Sequence, residues 1–232
     1  MSWVNTLNIM KNLKLNKDNV VLVSDFDGTI SKVDFFAYVT ENLLTPSDMQ
    51  PWYDYKSGEI THVEALNRIF KKIRLDIDDF HSFIDKIEVE EYFAKTVDYC
   101  IQNSIKVYVV SAGADYYIDR ILKKIKVDKK IELIANPSNY SQNNGLELFP
   151  FEIGHKYYDQ NLGVSKQKFI QNLQMQGLKV IFAGDGIPDV EAASVSDVVF
   201  AKDYLLDICL KKQIQYQNFS TYKDIYEFIL NI

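Results

Sequence analysis

Val20-Val21-Leu22-Val23, followed at once by Asp25-Phe26-Asp27-Gly28-Thr29-Ile30, decides the reading of the fold. A short apolar, β-branched run bounded by a polar turn reads as a buried strand. Asp25 and Asp27 stand two residues apart at its end, so their side chains start toward the same side. Gly28 allows a tight turn and close approach of the backbone to a ligand. Two carboxylates this close raise one another's pKa unless a cation lies between them. One can then serve as nucleophile and the other as proton donor. An ordinary Asp-Gly turn is the plain alternative for this stretch alone.

Outward from that strand the texture changes. From Asp34 to about Glu91 apolar residues recur at helical spacing (Phe35, Phe36, Val39, then Val63, Leu66, Ile69, Phe70, Ile73), with Pro46, Pro51 and Gly58 as punctuation. That pattern predicts several short helices and no strand. Phe93–Asn103 reads as a helix, Lys106–Val110 as a strand, Asp115–Ile125 as a helix and Ile131–Ala135 as a strand. The polar Asn139–Asn144 cluster with Gly145 reads as a hairpin. Then follow a helix over Ser165–Gln176, a strand over Leu178–Ala183, a helix from Pro188 through Ala193, a strand over Val198–Ala201 and a terminal helix over Thr221–Leu230. Alternating strands and helices imply an α/β fold with a Rossmann-like parallel sheet. The helical stretch is too long for a simple crossover. The expected organisation is a core of residues 17–33 and 92–232 with an inserted helical cap, residues 34–91. Ligands of such sheets bind beyond the carboxyl ends of the strands.

Three further motifs fall at predicted strand ends. Gly184-Asp185-Gly186-Ile187-Pro188-Asp189 places two carboxylates in a tight loop and a first helical turn. Carboxylates are hard-oxygen ligands suited to Mg²⁺. Ser111-Ala112-Gly113 offers a hydroxyl and backbone N–H groups ahead of a helix, an anion site or simply a helix cap. Lys166 opens the Ser165–Gln176 helix, where lysine is ordinarily a solvated charge but also suits phosphate. Taken together on one sheet edge, these residues make a site with a metal pole and an anion pole. The cation offsets repulsion between a phosphate dianion and a carboxylate nucleophile.

The set Asp25-Phe26-Asp27-Gly28-Thr29-Ile30, Ser111-Ala112-Gly113, Lys166 and Gly184-Asp185-Gly186-Ile187-Pro188-Asp189 resembles the four motifs of the haloacid dehalogenase-like phosphatases. The helical insert after the first motif makes it similar to their phosphoserine-phosphatase branch. Gly58-Glu59-Ile60, Arg68, Asp189-Val190-Glu191-Ala192-Ala193 and Phe200-Ala201-Lys202-Asp203-Tyr204-Leu205-Leu206 look most like the methionine-salvage phosphatases acting on 2-hydroxy-3-keto-5-methylthiopentenyl-1-phosphate. The resemblance implies Asp25 as nucleophile forming an aspartyl-phosphate, with Asp27 as acid and then base. It implies Mg²⁺ on Asp25, the Asp27 main-chain carbonyl and Asp185, with Asp189 in support and Thr29 shaping the first loop. Ser111, Ala112, Gly113 and Lys166 would hold the phosphoryl group. Among insert residues, Asp34, Phe35, Tyr38, Arg68 and Lys72 are expected to choose the leaving group, a cationic Arg68 favouring an anionic or carbonyl-bearing one. Asn67 stands where phosphoserine phosphatases carry a substrate-gripping arginine.

Composition limits the alternatives. The 232 residues carry 26 Lys+Arg against 32 Asp+Glu, net −6, which leaves no bulk electrostatic case for nucleic acid or an anionic membrane. No run approaches the roughly 20 apolar residues of a membrane span. Cys100 and Cys209 read as buried free thiols. The expected protein is cytoplasmic, a monomer or homodimer, acting on a small phosphorylated metabolite. His62, His81 and His155 lack metal-ligand spacing and read as structural or solvent-facing. The tyrosines, including Tyr116-Tyr117, read as packing. A short helix is expected near Trp3–Met10. Phosphoserine or another metabolite as substrate, and a silent phosphometabolite-binding protein, stay open alternatives.

Overall fold

The structure, a computed structural model, describes residues 15–232. The helix expected near Trp3–Met10 lies outside the described residues. Strand β1 (Val20–Ser24) is buried along its whole length. Its side chains alternate between two cores: Val20 and Leu22 join one apolar cluster, Val21 and Val23 the other. That is the two-residue period of a strand with both faces covered.

β1 sits inside a six-stranded sheet with β2 (Lys106–Ala114), β3 (Glu132–Asn136), β8 (Lys179–Gly184), β9 (Val198–Ala201) and β10 (Gln217–Asn218). The order is β10-β9-β8-β1-β2-β3, and every neighbouring pair is parallel. The chain runs outward from β1 to β3, then returns and runs the other way from β8 to β10. The direction reverses at β1, so a crevice opens beyond its carboxyl end.

Helices α5 (Glu91–Gln102), α6 (Asp115–Lys124) and α10 (Tyr222–Ile229) cover one face. Helices α7 (Lys166–Met175), α8 (Val190–Val195) and α9 (Asp203–Lys212) cover the other. Both cysteines are buried free thiols on these helices, Cys100 on α5 and Cys209 on α9.

Four helices follow β1: α1 (Phe35–Asn42), α2 (Gln50–Ser57), α3 (His62–Phe70) and α4 (Ile77–Ile84). Asp34, Thr61 and Asp76 cap α1, α3 and α4 through their side chains, satisfying N–H groups that a helix start leaves free. The buried faces of α1, α3 and α4 continue into the core cluster beneath α5 and α6. The expected hairpin forms from β4 (Ser138–Ser141) and β5 (Gly145–Leu148). It props α3: the Leu148 N–H donates to Asn67 Oδ1 at 3.0 Å. Asn67 is thereby a structural contact. A smaller pair, β6 (Tyr158–Asp159) and β7 (Gly163–Val164), leads into α7.

Three expectations change. β2 continues through Ser111-Ala112-Gly113 to Ala114 with an irregular register after Val110, so Ser111 lies on the strand rather than at a helix start. Pro188 lies in a 3₁₀ turn, Ile187–Asp189, before α8. Helix α9 has no counterpart in the sequence reading, since only Leu205 and Cys209 of it are buried, too thin a stripe to announce a helix.

Candidate active site

Parallel pairing brings the motif residues to one edge. Ser24 pairs with Val109 of β2 and with Ala183 of β8, so Asp25, Ser111 and Asp185 all lie just past the same line. The Asp25 N–H extends the ladder by donating to the Ala183 carbonyl at 2.9 Å. A cavity of about 110 Å³ opens there, bordered by Asp25, Asp27, Ser111, Ala112, Gly113, Lys166, Asp185 and Asp189. A groove of about 1010 Å³ lies elsewhere, along α6 and β3, and contains none of these residues. Chemistry rather than size identifies the site.

Lys166 organises the floor. Its ammonium is almost wholly enclosed and bonds Asp25 Oδ1 and Asp189 Oδ1 at 2.5 Å each. Burial opposes its charge, but Asp189 and Asp25 outweigh burial and hold the ammonium well above the usual lysine range. It is an internal ion-pair member, not a solvated helix charge. Ser165 caps α7 by accepting from the Lys168 N–H, which fixes where Lys166 begins.

Asp189 is committed on every side. Oδ2 accepts from the N–H groups of Asp185 and Gly186 at 3.0 and 2.9 Å, while Oδ1 takes Lys166. It thus closes the Gly184–Asp189 loop. Asp185 accepts from the Thr29 hydroxyl at 3.1 Å. Gly28, at φ +72°, has to be glycine: a Cβ there would fall on Asp185 Oδ2.

Asp27 is held differently. Its Oδ1 accepts from the Phe35 N–H at 3.2 Å and its Oδ2 from the Tyr117 hydroxyl. Burial first, then the charges of Asp34 and Asp25, raise its pKa well above the carboxylate range against the Tyr117 bond. A carboxyl that holds its proton near neutrality can act as an acid. On β2, Ser111 Oγ accepts from the Gly113 N–H at 2.9 Å, and the Ala112 carbonyl accepts from Asn136 at 2.7 Å.

The floor suits a cation. Carboxylate oxygens of Asp25, Asp185 and Asp189 lie within 4.8 Å of one another. Burial and the neighbouring acids push Asp185 up to about 9 and Asp25 up to about 7, with Lys166 opposing both. Such crowding is relieved by a divalent ion. Asp189 spends its lone pairs on Lys166 and two amides, so Asp25 and Asp185 are the carboxylates with capacity to ligate. Among the described residues nothing donates to the Asp27 carbonyl, which leaves it free as well.

The roof is apolar. Phe36, Trp52, His62, Leu66 and Phe70 line it, with Asp34 at its margin. The sequence reading of the roof is corrected here. Arg68 is exposed and bonds Glu64 at 2.5 Å, a turn away on the outside of α3. Lys72 pairs with Asp48, Tyr38 stacks on Phe83, and Phe35 is buried against Tyr117. No lysine or arginine of the helical block lines the cavity. Tyr117, read from sequence as packing, borders it and holds Asp27. Its one sequence signal is its position four residues after Gly113, where a Cβ on Gly113 would fall on the Tyr117 hydroxyl.

Comparisons with known proteins place the chain beside phosphatases. The family model described as "Putative Phosphatase" matches residues 20–223. The 2-hydroxy-3-keto-5-methylthiopentenyl-1-phosphate phosphatase of Bacillus cereus (strain G9842) is 26% identical over 209 residues, covering 89% of this chain and 94% of that one. The protein of the same name from Bacillus pumilus (strain SAFR-032) is 28% identical over 207 residues, covering 88% of each chain. Among solved structures, a phospho-aspartyl intermediate analogue of phosphoserine phosphatase superposes with a TM-score of 0.64 at 16% identity, over 90% of this chain and 98% of that one. A phosphoserine phosphatase from T. onnurineus gives 0.62 at 18% identity, over 92% and 96%. Those two carry the fold. Among the described residues no helix is long and apolar enough to cross a membrane.

Proposed function

The chain belongs to the Putative Phosphatase family, and from that premise we propose that it is a haloacid dehalogenase-like enzyme that uses Mg²⁺ and an aspartyl-phosphate to hydrolyse a small phosphomonoester with an uncharged, largely apolar leaving group. A substrate of the type 2-hydroxy-3-keto-5-methylthiopentenyl-1-phosphate fits that description. The observation that carries the reading is a buried Asp25, held by an enclosed Lys166, beneath an apolar roof without a lysine or arginine.

Asp25 attacks phosphorus with the oxygen not held by Lys166. The ester oxygen leaves with the proton of Asp27, whose burial keeps that proton available. A water then attacks the aspartyl-phosphate, giving its proton back to Asp27 and releasing phosphate and Asp25. Lys166, the Ser111 hydroxyl and the Gly113 N–H hold the phosphoryl oxygens. In the described state that N–H donates to Ser111, so the loop turns it to the anion on binding. Asp25, the Asp27 carbonyl and Asp185 would hold Mg²⁺, which offsets charge between the dianion and the nucleophile. Asp189 and Thr29 keep Lys166 and Asp185 in place.

The helical block, residues 34–91, acts as a cap over the core, residues 17–33 and 92–232. The cavity of about 110 Å³ is well below the roughly 300–1,000 Å³ of ordinary ligand pockets. Substrate entry therefore requires the cap to part from the core. Phosphoserine suits this roof poorly, since its carboxylate would face Phe36, Trp52, Leu66 and Phe70, and no lysine or arginine of the helical block lines the cavity.

Phosphate release across a panel of phosphorylated metabolites, with Mg²⁺ or EDTA, tests the reading beside Asp25→Asn. Metal-dependent turnover that the variant loses is expected. A folded, Mg²⁺-binding protein that releases no phosphate from any ester would favour a silent binding protein instead.

A further inference from the structure

His62 is the first residue of α3 and borders the active-site cavity. Its place is set from outside the helical block: its backbone N–H donates to Asn161 Oδ1 at 2.9 Å, and the Val63 N–H donates to the Asn161 carbonyl at the same distance. The ring is set edge-on to Trp52 and Tyr55, with centroids 5.9 and 5.3 Å away. Nδ1 is enclosed by the protein, and neither ring nitrogen has a hydrogen-bond partner among the described residues. Leaving a buried polar atom unpaired costs about 1–3 kcal/mol, so such an atom calls for an explanation. Burial first, then Lys166 and Lys56, push its pKa down to about 4, so the ring is neutral at physiological pH. A neutral imidazole presents one N–H donor and one lone pair.

Every other roof side chain apart from Asp34 at the margin is a hydrocarbon or an indole. Resting on the phosphatase reading of the cavity, we propose that His62 determines specificity by hydrogen-bonding an uncharged hydroxyl or carbonyl oxygen on the leaving group. The hydrocarbon around it takes the remaining carbon chain. The site then prefers esters that bear one such oxygen over their deoxy counterparts, because a deoxy ester leaves the imidazole without a partner among hydrocarbon.

Two non-hydrolysable probes read this contact by calorimetry: 2-hydroxypentylphosphonate and pentylphosphonate, each with Mg²⁺ present. The wild type is expected to bind the hydroxylated probe about five- to tenfold more tightly, the worth of one neutral hydrogen bond. In His62→Phe the ratio falls to about one; in His62→Gln, whose amide can donate and accept, part of it returns. A ratio near one in the wild type, or one unchanged by His62→Phe, overturns the proposal. If the phenylalanine variant does not fold, the ¹⁵N signals of the wild-type His62 ring decide: they shift with the hydroxylated probe and not with the deoxy one, and an equal response to both refutes the contact. Phosphate release from 2-hydroxypentyl phosphate reads the hydrolytic assignment separately. No release, with the binding ratio still His62-dependent, sinks that assignment and upholds His62. Release, with the ratio indifferent to His62, does the reverse.

Discussion

The floor and the roof of one cavity are built by opposite means. On the floor, Lys166, Asp25, Asp185, Asp189 and Thr29 form a closed hydrogen-bonded network in which almost every donor has an assigned acceptor. In the roof, Phe36, Trp52, Leu66 and Phe70 meet the cavity through apolar packing, which is non-directional and tolerates substitution. The floor holds a fixed chemistry, and the roof can change its shape without disturbing it. A fold divided in this way can keep one reaction and vary its substrate.

The sharpest break of that division is Lys166→Met. It leaves the buried carboxylates of Asp25 and Asp189 facing each other unpaired, which costs about 3–5 kcal/mol of stability. Turnover should fall by roughly a thousandfold or more, in keeping with loss of a charge-stabilising group. Urea denaturation and single-turnover phosphate release measure the two effects; a variant as stable as the wild type would mean that the network is not the rigid element described.

Gly28→Ala attacks the floor by geometry alone. The added methyl meets Asp185 Oδ2 at a backbone φ of +72°. Mg²⁺ affinity should drop by about 10–100-fold, the usual cost of disturbing groups that orient a metal ligand. Calorimetric titration with Mg²⁺ checks it, and an unchanged affinity would move the metal away from Asp185.

A third consequence concerns pH. The Asp185 carboxyl stands at about 9 in the folded protein against an ordinary aspartate near 3.9. Between those values the metal-free folded state holds a proton that the unfolded chain has released. Stability from this group therefore falls as pH rises across that window. Bound Mg²⁺ would displace the proton, so its stabilising effect should grow in the same direction. In EDTA the melting temperature should decline from pH 5.5 to 8, and added Mg²⁺ should raise it more at pH 8. A metal-free protein that gains stability over that range would contradict the burial argument.

The smallest effects separate the roof from its outer surface. Trp52→Ala should raise KM for an apolar ester by roughly tenfold, the loss of about two buried methylene equivalents, with kcat little altered. Arg68→Ala should change stability by no more than about 0.5 kcal/mol, because its pair with Glu64 is solvent-exposed. Its kcat/KM should stay at the wild-type value. An Arg68 variant with altered substrate preference would show that the cap turns that side chain inward during closure.

The two regions also differ in how far they can be read without a structure. The floor residues are rigidly spaced against strand ends: Asp25 and Asp27 after β1, Ser111 within β2, Asp185 after β8. A parallel sheet places all such ends on one side, so the positions were legible once the strands were. Helix α9 escaped because it presents only Leu205 and Cys209 to the core. The roof escaped for a different reason. Apolar residues on α1 to α3 carry the same periodicity whether they face the core or a cavity, and charge on an amphipathic helix does not reveal its direction. Arg68 and His62 lie on one helix; the first points to solvent and the second borders the cavity.

Sequence alone therefore determined the α/β class, the strand ends and the set of acids, lysine and hydroxyl gathered there, because strand period and Gly-Asp turn chemistry are local properties. Tertiary structure decided that Lys166 is an internal ion-pair partner of Asp25 and Asp189, that Tyr117 holds Asp27, and that an unpartnered His62 borders the cavity. Each of those depends on contacts between residues tens of positions apart, 141 for Lys166 and Asp25 and 90 for Tyr117 and Asp27. Only packing across the sheet edge brings such side chains within a hydrogen bond of one another.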